Sequence, residues 1–159
     1  MINMVNEGEI APDFEALDTG LKSRKLSDYR GNVTVLAFFP GAFTSVCTKE
    51  MCTFRDSMAN FNKLNAKVIG ISVDAPFSLK EFATKNNLQF DLLSDGNREI
   101  SEKYGVLYKN FLNINKLTAS KRSVFILDKN GKIIYKWVSE DAGKEPDYKK
   151  IEEIISKSN

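Results

Sequence analysis

The stretch VTVLAFFPGAFTSVCTKEMC, residues 33–52, holds a strand signal, a turn and both cysteines of the chain. Residues 33–39 are short, apolar except for Thr34, and rich in β-branched and aromatic side chains. That pattern predicts a strand buried on both faces. Pro40 ends it. Residues 48–64 then predict a helix, because Met51, Phe54, Met58 and Phe61 recur at spacings of three, four and three.

The same alternation continues on either side. FEALDT and GLKSRKL predict a short hairpin around Gly20, and KVIGISVD (67–74) a second buried strand. SLKEFATKN (78–86) reads as a helix after Pro76, DLLSD as a short strand, and NREISEKY as a short helix closed by Gly105. RSVFILD and KIIYKWV flank KNG, an Asn-Gly turn signal for a hairpin. A last helix begins near Pro146, with Ile151, Ile154 and Ile155 on one stripe. Strands alternating with helices make a central sheet with parallel pairs, to which the late hairpin adds antiparallel strands. The expected class is α/β: a mixed central β-sheet with helices on both faces and an N-terminal β-hairpin. A thioredoxin-like fold is one such architecture. With no repeat, linker or low-complexity tract, residues 1–159 read as one domain, and 1–6 as a flexible leader.

Composition narrows the function. The balance of 23 basic against 21 acidic residues, without a dense basic cluster, argues against a nucleic-acid or membrane surface. No apolar run approaches the roughly 18 residues of a membrane span. The first ten residues lack the charged head and apolar middle of a secretory signal, so a cytoplasmic location is expected. Histidine is absent, which removes Ser-His-Asp triads, Cys-His pairs and most zinc and iron sites. Two cysteines are too few for a closed zinc site, and their spacing is not Cys-x-x-Cys.

On a helical wheel with Cys47 at zero, Met51, Phe54, Met58 and Phe61 fall within about 40° of it. Cys47 is therefore on the core-facing stripe, at the first turn, and Cys52 about 140° away on the polar flank. Five residues of ideal helix put the two Cα atoms roughly 8–9 Å apart, beyond the 4.4–6.8 Å of about every disulfide. The thiols can bond only if the first turns melt. Unpaired amides and the helix dipole at a helix N-terminus stabilise an anion. Thiol pKa values at such sites fall from about 8.5 to about 3.5–7.5. The placement favours a nucleophile at Cys47 over a space-filling thiol.

PGAFTSVC fits the peroxiredoxin pattern Pro-x-x-x-Thr-x-x-Cys, with Pro40, Thr44 and Cys47 in register. APDFEALD, SDGNREISEKYGV and RSVFILDKNGKI also resemble segments of that family, in the expected order over about residues 10 to 138. A second cysteine five places on is similar to the bacterioferritin-comigratory-protein, or PrxQ, type. The resemblance implies a thiol-dependent peroxidase that needs no cofactor. It makes Cys47 the peroxidatic cysteine, which becomes a sulfenic acid, and Cys52 the resolving cysteine. Thr44 would hydrogen-bond thiolate and peroxide, and Pro40 would shield the site from water. Arg122 would hold the thiolate and polarise the peroxide, oriented by Glu50. The implied partners are a peroxide and a thioredoxin-like or other dithiol reductant, for a monomer or homodimer. There is no C-terminal resolving cysteine, and no Gly-Gly-Leu-Gly insertion of the kind found in overoxidation-sensitive members. Two alternatives stay open: a one-cysteine peroxidase in which Cys52 is passive, and a thioredoxin-fold binding module with an inert thiol.

Overall fold

The computed structural model describes residues 5–158. Of the leader expected at 1–6, residues 1–4 lie outside the described residues, whereas Val5 is buried in the core.

In chain order the elements begin with β1 (Glu15–Asp18), β2 (Ser23–Lys25) and a 3-10 turn (Leu26–Tyr29), then β3 (Val33–Phe38), α1 (Ser45–Asp56) and α2 (Met58–Lys63). They continue with β4 (Ala66–Ser72), α3 (Pro76–Lys85), β5 (Asp91–Ser94) and α4 (Glu99–Lys103). After β6 (Leu107–Tyr108), a 3-10 turn (Phe111–Asn113) and β7 (Ala119–Ser120) come β8 (Ser123–Leu127), β9 (Ile133–Val138) and α5 (Tyr148–Lys157). Seven strands form one sheet in the order β2-β1-β5-β4-β3-β8-β9. β3, β4 and β5 run parallel, while β1, β8 and β9 join antiparallel. This is the mixed sheet expected from the alternation of strands and helices.

β3 lies near the middle, and all six of its residues are buried. Its side chains alternate between two cores, as a strand covered on both faces requires. Val33, Val35 and Ala37 join Val68, Val124 and Ile126 under α1, α2, α3 and α5. Leu36 and Phe38 join Ile69, Ile71 and Phe125 under α4 and the N-terminal segment. Helices thus cover both faces, but unequally.

The long helix expected at 48–64 differs at both ends and in the middle. It starts at Ser45, because extended Thr44 turns its carbonyl to the Thr48 amide, at 2.9 Å. It breaks at Ser57, whose amide is shared between the Thr53 and Phe54 carbonyls at 3.2 and 3.1 Å, a tightened final turn. The apolar period runs through the break, since α2 keeps Phe61 in the same core as Met51 and Phe54. The two-residue strands β6 and β7 were not expected; they are too short to show any period. The expected hairpin turn is present. Asp128 Oδ1 accepts the amides of Asn130 and Lys132, and Gly131 takes φ +85°.

Candidate active site

Sheet register assembles the site. β3 ends at Phe38, and the chain then passes through Pro40–Thr44 into α1. Phe38 pairs with Ser123, the first residue of antiparallel β8, so Arg122 stands at the carboxyl end of β3. Ser123 also pairs with Val138, the last residue of β9, which brings the loop from Ser139 to the same edge. Parallel β4 ends beside β3, which adds Asp74. Carboxyl ends of parallel strands are where open α/β sheets place their sites.

Cys47 is the third residue of α1 and has no exposed surface. Met51 and Phe54 are buried beside it, as the wheel requires. The first helical bond is donated by Thr48, so the amides of Ser45, Val46 and Cys47 precede the helical ladder. Arg122 is 1% exposed and donates from Nη2 to Cys47 Sγ at 3.2 Å. Its Nη1 donates to Glu50 Oε1 at 2.8 Å. Its Nε and Nη2 both donate to the Ala142 carbonyl, at 3.1 and 2.8 Å. Burial disfavours the guanidinium charge, but Glu50 and Cys47 hold the Arg122 pKa above its ordinary value.

Glu50 is wholly buried, and its Oε2 has no hydrogen-bond partner. Burial pushes it up to about 7, against the charge and hydrogen bond of Arg122, which pull it down. The Glu50 side chain is turned inward to Arg122. Thr44 stands at the N-cap of α1 without a side-chain capping bond; its hydroxyl donates to the Gly41 carbonyl at 2.9 Å. Pro40 is buried. Phe39 is core, whereas Phe43 is half exposed, takes φ +65° and sets its ring edge-on to Phe82 at 5.3 Å.

Cys52 is partly exposed on the other flank of α1, and both thiols are free. Its Sγ donates to Asn86 Oδ1 at 3.6 Å. The structure thus brings Cys47, Arg122 and Glu50 into direct contact and leaves Cys52 apart.

Some supporting groups are invisible in the sequence. The Ala142 carbonyl is a backbone atom, so no residue type signals it. Asp74 takes the Ala42 amide at 2.8 Å and the Ser72 hydroxyl at 2.6 Å, tying down the Pro40–Thr44 loop. Its signal was an acid closing the run KVIGISVD (67–74). Glu145 accepts from Lys49 at 3.1 Å and from Tyr148 at 2.7 Å, fastening α1 to the chain after Ala142. Burial opposes the charge of Glu145, but those two hydrogen bonds hold its pKa below the ordinary value. No cluster of three or more His, Cys, Asp or Glu able to hold a metal occurs among the described residues. No helix among them is long and apolar enough to cross a membrane.

Residues 8–136 match the family described as AhpC/TSA. The chain is 40% identical over 132 residues to peroxiredoxin Bcp of Bacillus subtilis, covering 82% of this chain and 83% of that one. It is 41% identical over 127 residues to chloroplastic peroxiredoxin Q of Populus jackii, covering 80% of this chain but 57% of the plant protein. Among solved structures, peroxidoxin BcpB of Mycobacterium tuberculosis superposes with a TM-score of 0.79 at 33% identity, covering 87% of this chain and 88% of that one. A PrxQ mutant of Xylella fastidiosa gives 0.82 at 25% identity, covering 98% and 95%.

Proposed function

The chain belongs to the AhpC/TSA family, as a relative of the Bcp and PrxQ peroxiredoxins, and from that premise we propose the residue roles of its thiol-dependent peroxidase cycle. Cys47 attacks as thiolate on one peroxide oxygen. The O–O bond breaks, Cys47 becomes a sulfenic acid, and the departing alkoxide or hydroxide takes a proton to leave as alcohol or water. The observation that carries this reading is the buried guanidinium of Arg122, which touches Cys47 Sγ at 3.2 Å and Glu50 at 2.8 Å.

Negative charge moves from sulfur to the departing oxygen, so the site needs donors already aimed at both. Arg122 supplies a fixed plane of donors and stays charged. Glu50 and the Ala142 carbonyl hold that plane still. The amides of Val46 and Cys47 add dipoles free of the helical ladder. The Thr44 proton is committed to Gly41, so its oxygen is left to accept from a hydroperoxide O–H. Pro40, buried just after β3, limits water at the site.

In the second step Cys52 sulfur attacks Cys47 sulfur. An S–S bond forms, the S–O bond breaks, and hydroxide leaves with the Cys52 proton as water. Because the thiols start on different flanks of α1, its first turns open for this step. A dithiol reductant of thioredoxin-like type then restores both thiols by exchange. The peroxides we infer are hydrogen peroxide and organic hydroperoxides. We assign the working form to the cytoplasm, where thiols are kept reduced, as monomer or homodimer. Mass spectrometry after one equivalent of peroxide tests the roles. Wild type should lose two hydrogens, Cys52→Ser should gain one oxygen, and Cys47→Ser should remain unchanged. A wild type that gains oxygen would remove the resolving role from Cys52.

A further inference from the structure

Cys52 and Arg55 sit one turn apart on α1 and converge on Asn86, the residue that caps the C-terminus of α3. The Cys52 thiol donates to Asn86 Oδ1 at 3.6 Å, and Arg55 Nη1 donates to the Asn86 carbonyl at 2.8 Å. Asn86 ends α3, and its Nδ2 donates to the Phe82 carbonyl at 2.9 Å. That bond settles which end of the amide faces the sulfur, since only the oxygen is left to accept. We propose that Asn86 is a positioning residue for disulfide formation, holding the Cys52 thiol on α3 and off Cys47 until α1 opens. The proposal rests on Cys52 being the resolving cysteine and names the group that restrains it.

The chemistry of the two steps separates them. Peroxide attack uses Cys47, Arg122 and the loop before α1; no atom of Asn86 or Cys52 takes part. Disulfide formation needs the Cys52 sulfur to face Cys47 and its proton to leave with the hydroxide from the sulfenic acid. While the S–H points at Asn86 Oδ1, the proton is held there and the sulfur is turned towards α3. The bond to Asn86 must break before the S–S bond forms, so it slows the second step alone. Arg55 stays anchored to the Asn86 main chain whatever side chain stands at 86, so α1 keeps its grip on α3 when the latch is removed. A slower second step lengthens the life of the sulfenic acid, and a second peroxide can then carry it to sulfinic acid.

The test is rapid quench of reduced protein with hydrogen peroxide, followed by mass spectrometry of sulfenic acid and disulfide over time. Asn86→Ala removes the acceptor and should speed disulfide formation about threefold, the scale of one modest hydrogen bond. Sulfenic acid should appear at the wild-type rate. Asn86→Asp offers a charged acceptor, which binds a donor more strongly, and should slow disulfide formation. Opposite shifts from two substitutions at one site are not what general loosening of α3 would give, and if Asn86→Ala fails to fold, slowing in Asn86→Asp alone still separates the latch from loosening, which would not slow the step. An unchanged second step, or a first step that moves with it, would overturn the latch. A wild type that forms no Cys47–Cys52 disulfide would overturn the resolving assignment together with the latch; a disulfide formed at the same rate in all three proteins would overturn the latch alone.

Discussion

Replacing Glu50 by Gln should flatten the fall of folding stability as pH rises towards neutrality. Glu50 is wholly buried, with one oxygen on Arg122 and the other unpaired. Burial raises it from 4.5 to about 7. Between these values the folded protein keeps a proton that the unfolded chain has released, so stability falls as pH rises. The contribution is complete below about pH 4.5 and is lost as the pH passes about 7. At about 1.4 kcal/mol per pKa unit, the loss reaches about 3 kcal/mol above both values, and about 2–3 kcal/mol lies between roughly pH 5 and pH 8. Gln keeps the acceptor for Arg122 and the shape of the side chain, but it does not titrate. Urea unfolding of the reduced proteins at several pH values gives the difference between wild type and Glu50→Gln, in which other titrating groups cancel. That difference should shift by about 2–3 kcal/mol across the range, wild type losing. Parallel curves would refute the reasoning, because they would mean that Glu50 titrates alike in the folded and unfolded chain.

Arg122→Met should lower the rate of Cys47 oxidation by about 10²–10³, the cost of removing an oriented donor, as read by stopped-flow peroxide consumption. Adding Glu50→Gln to it should recover stability in urea without recovering rate. Asp74→Ala releases the Ala42 amide and should slow peroxide attack about tenfold while leaving the subsequent disulfide step unchanged, the pattern of a lost hydrogen bond to a charged group. Gly70→Ala would place a methyl 2.6 Å from Leu92 Cδ2 and 3.3 Å from Met51 Sδ and Phe39 Cε1. Overpacking of that kind should cost about 1–3 kcal/mol in urea unfolding.

Much of this architecture was legible because burial writes itself into side-chain period. The apolar run at 33–39, interrupted only by Thr34, marked the doubly covered strand, and the spacing of Met51, Phe54 and Phe61 put Cys47 on the inner stripe. The break at Ser57 was not legible, since α2 keeps the same face and the period never lapses. The pairing of Glu50 with Arg122 was legible only through the family resemblance: a carboxylate by itself signals surface, and Arg122 lies 72 positions away. Register brings them together, through the pairing of Phe38 with Ser123. The Ala142 carbonyl and the Asn86 amide lie further out of reach, one because it is main chain and the other because an asparagine at a helix end is ordinary.

The claim that Cys47 is the peroxide-reactive sulfur, held ready by Arg122, is tested most directly by its rate. Reduced protein is mixed with hydrogen peroxide at neutral pH and oxidation is followed by stopped flow. The expected second-order rate exceeds that of free cysteine by at least about a hundredfold, persists in Cys52→Ser and vanishes in Cys47→Ser. A rate no faster than free cysteine, or one that survives in Cys47→Ser, would contradict it.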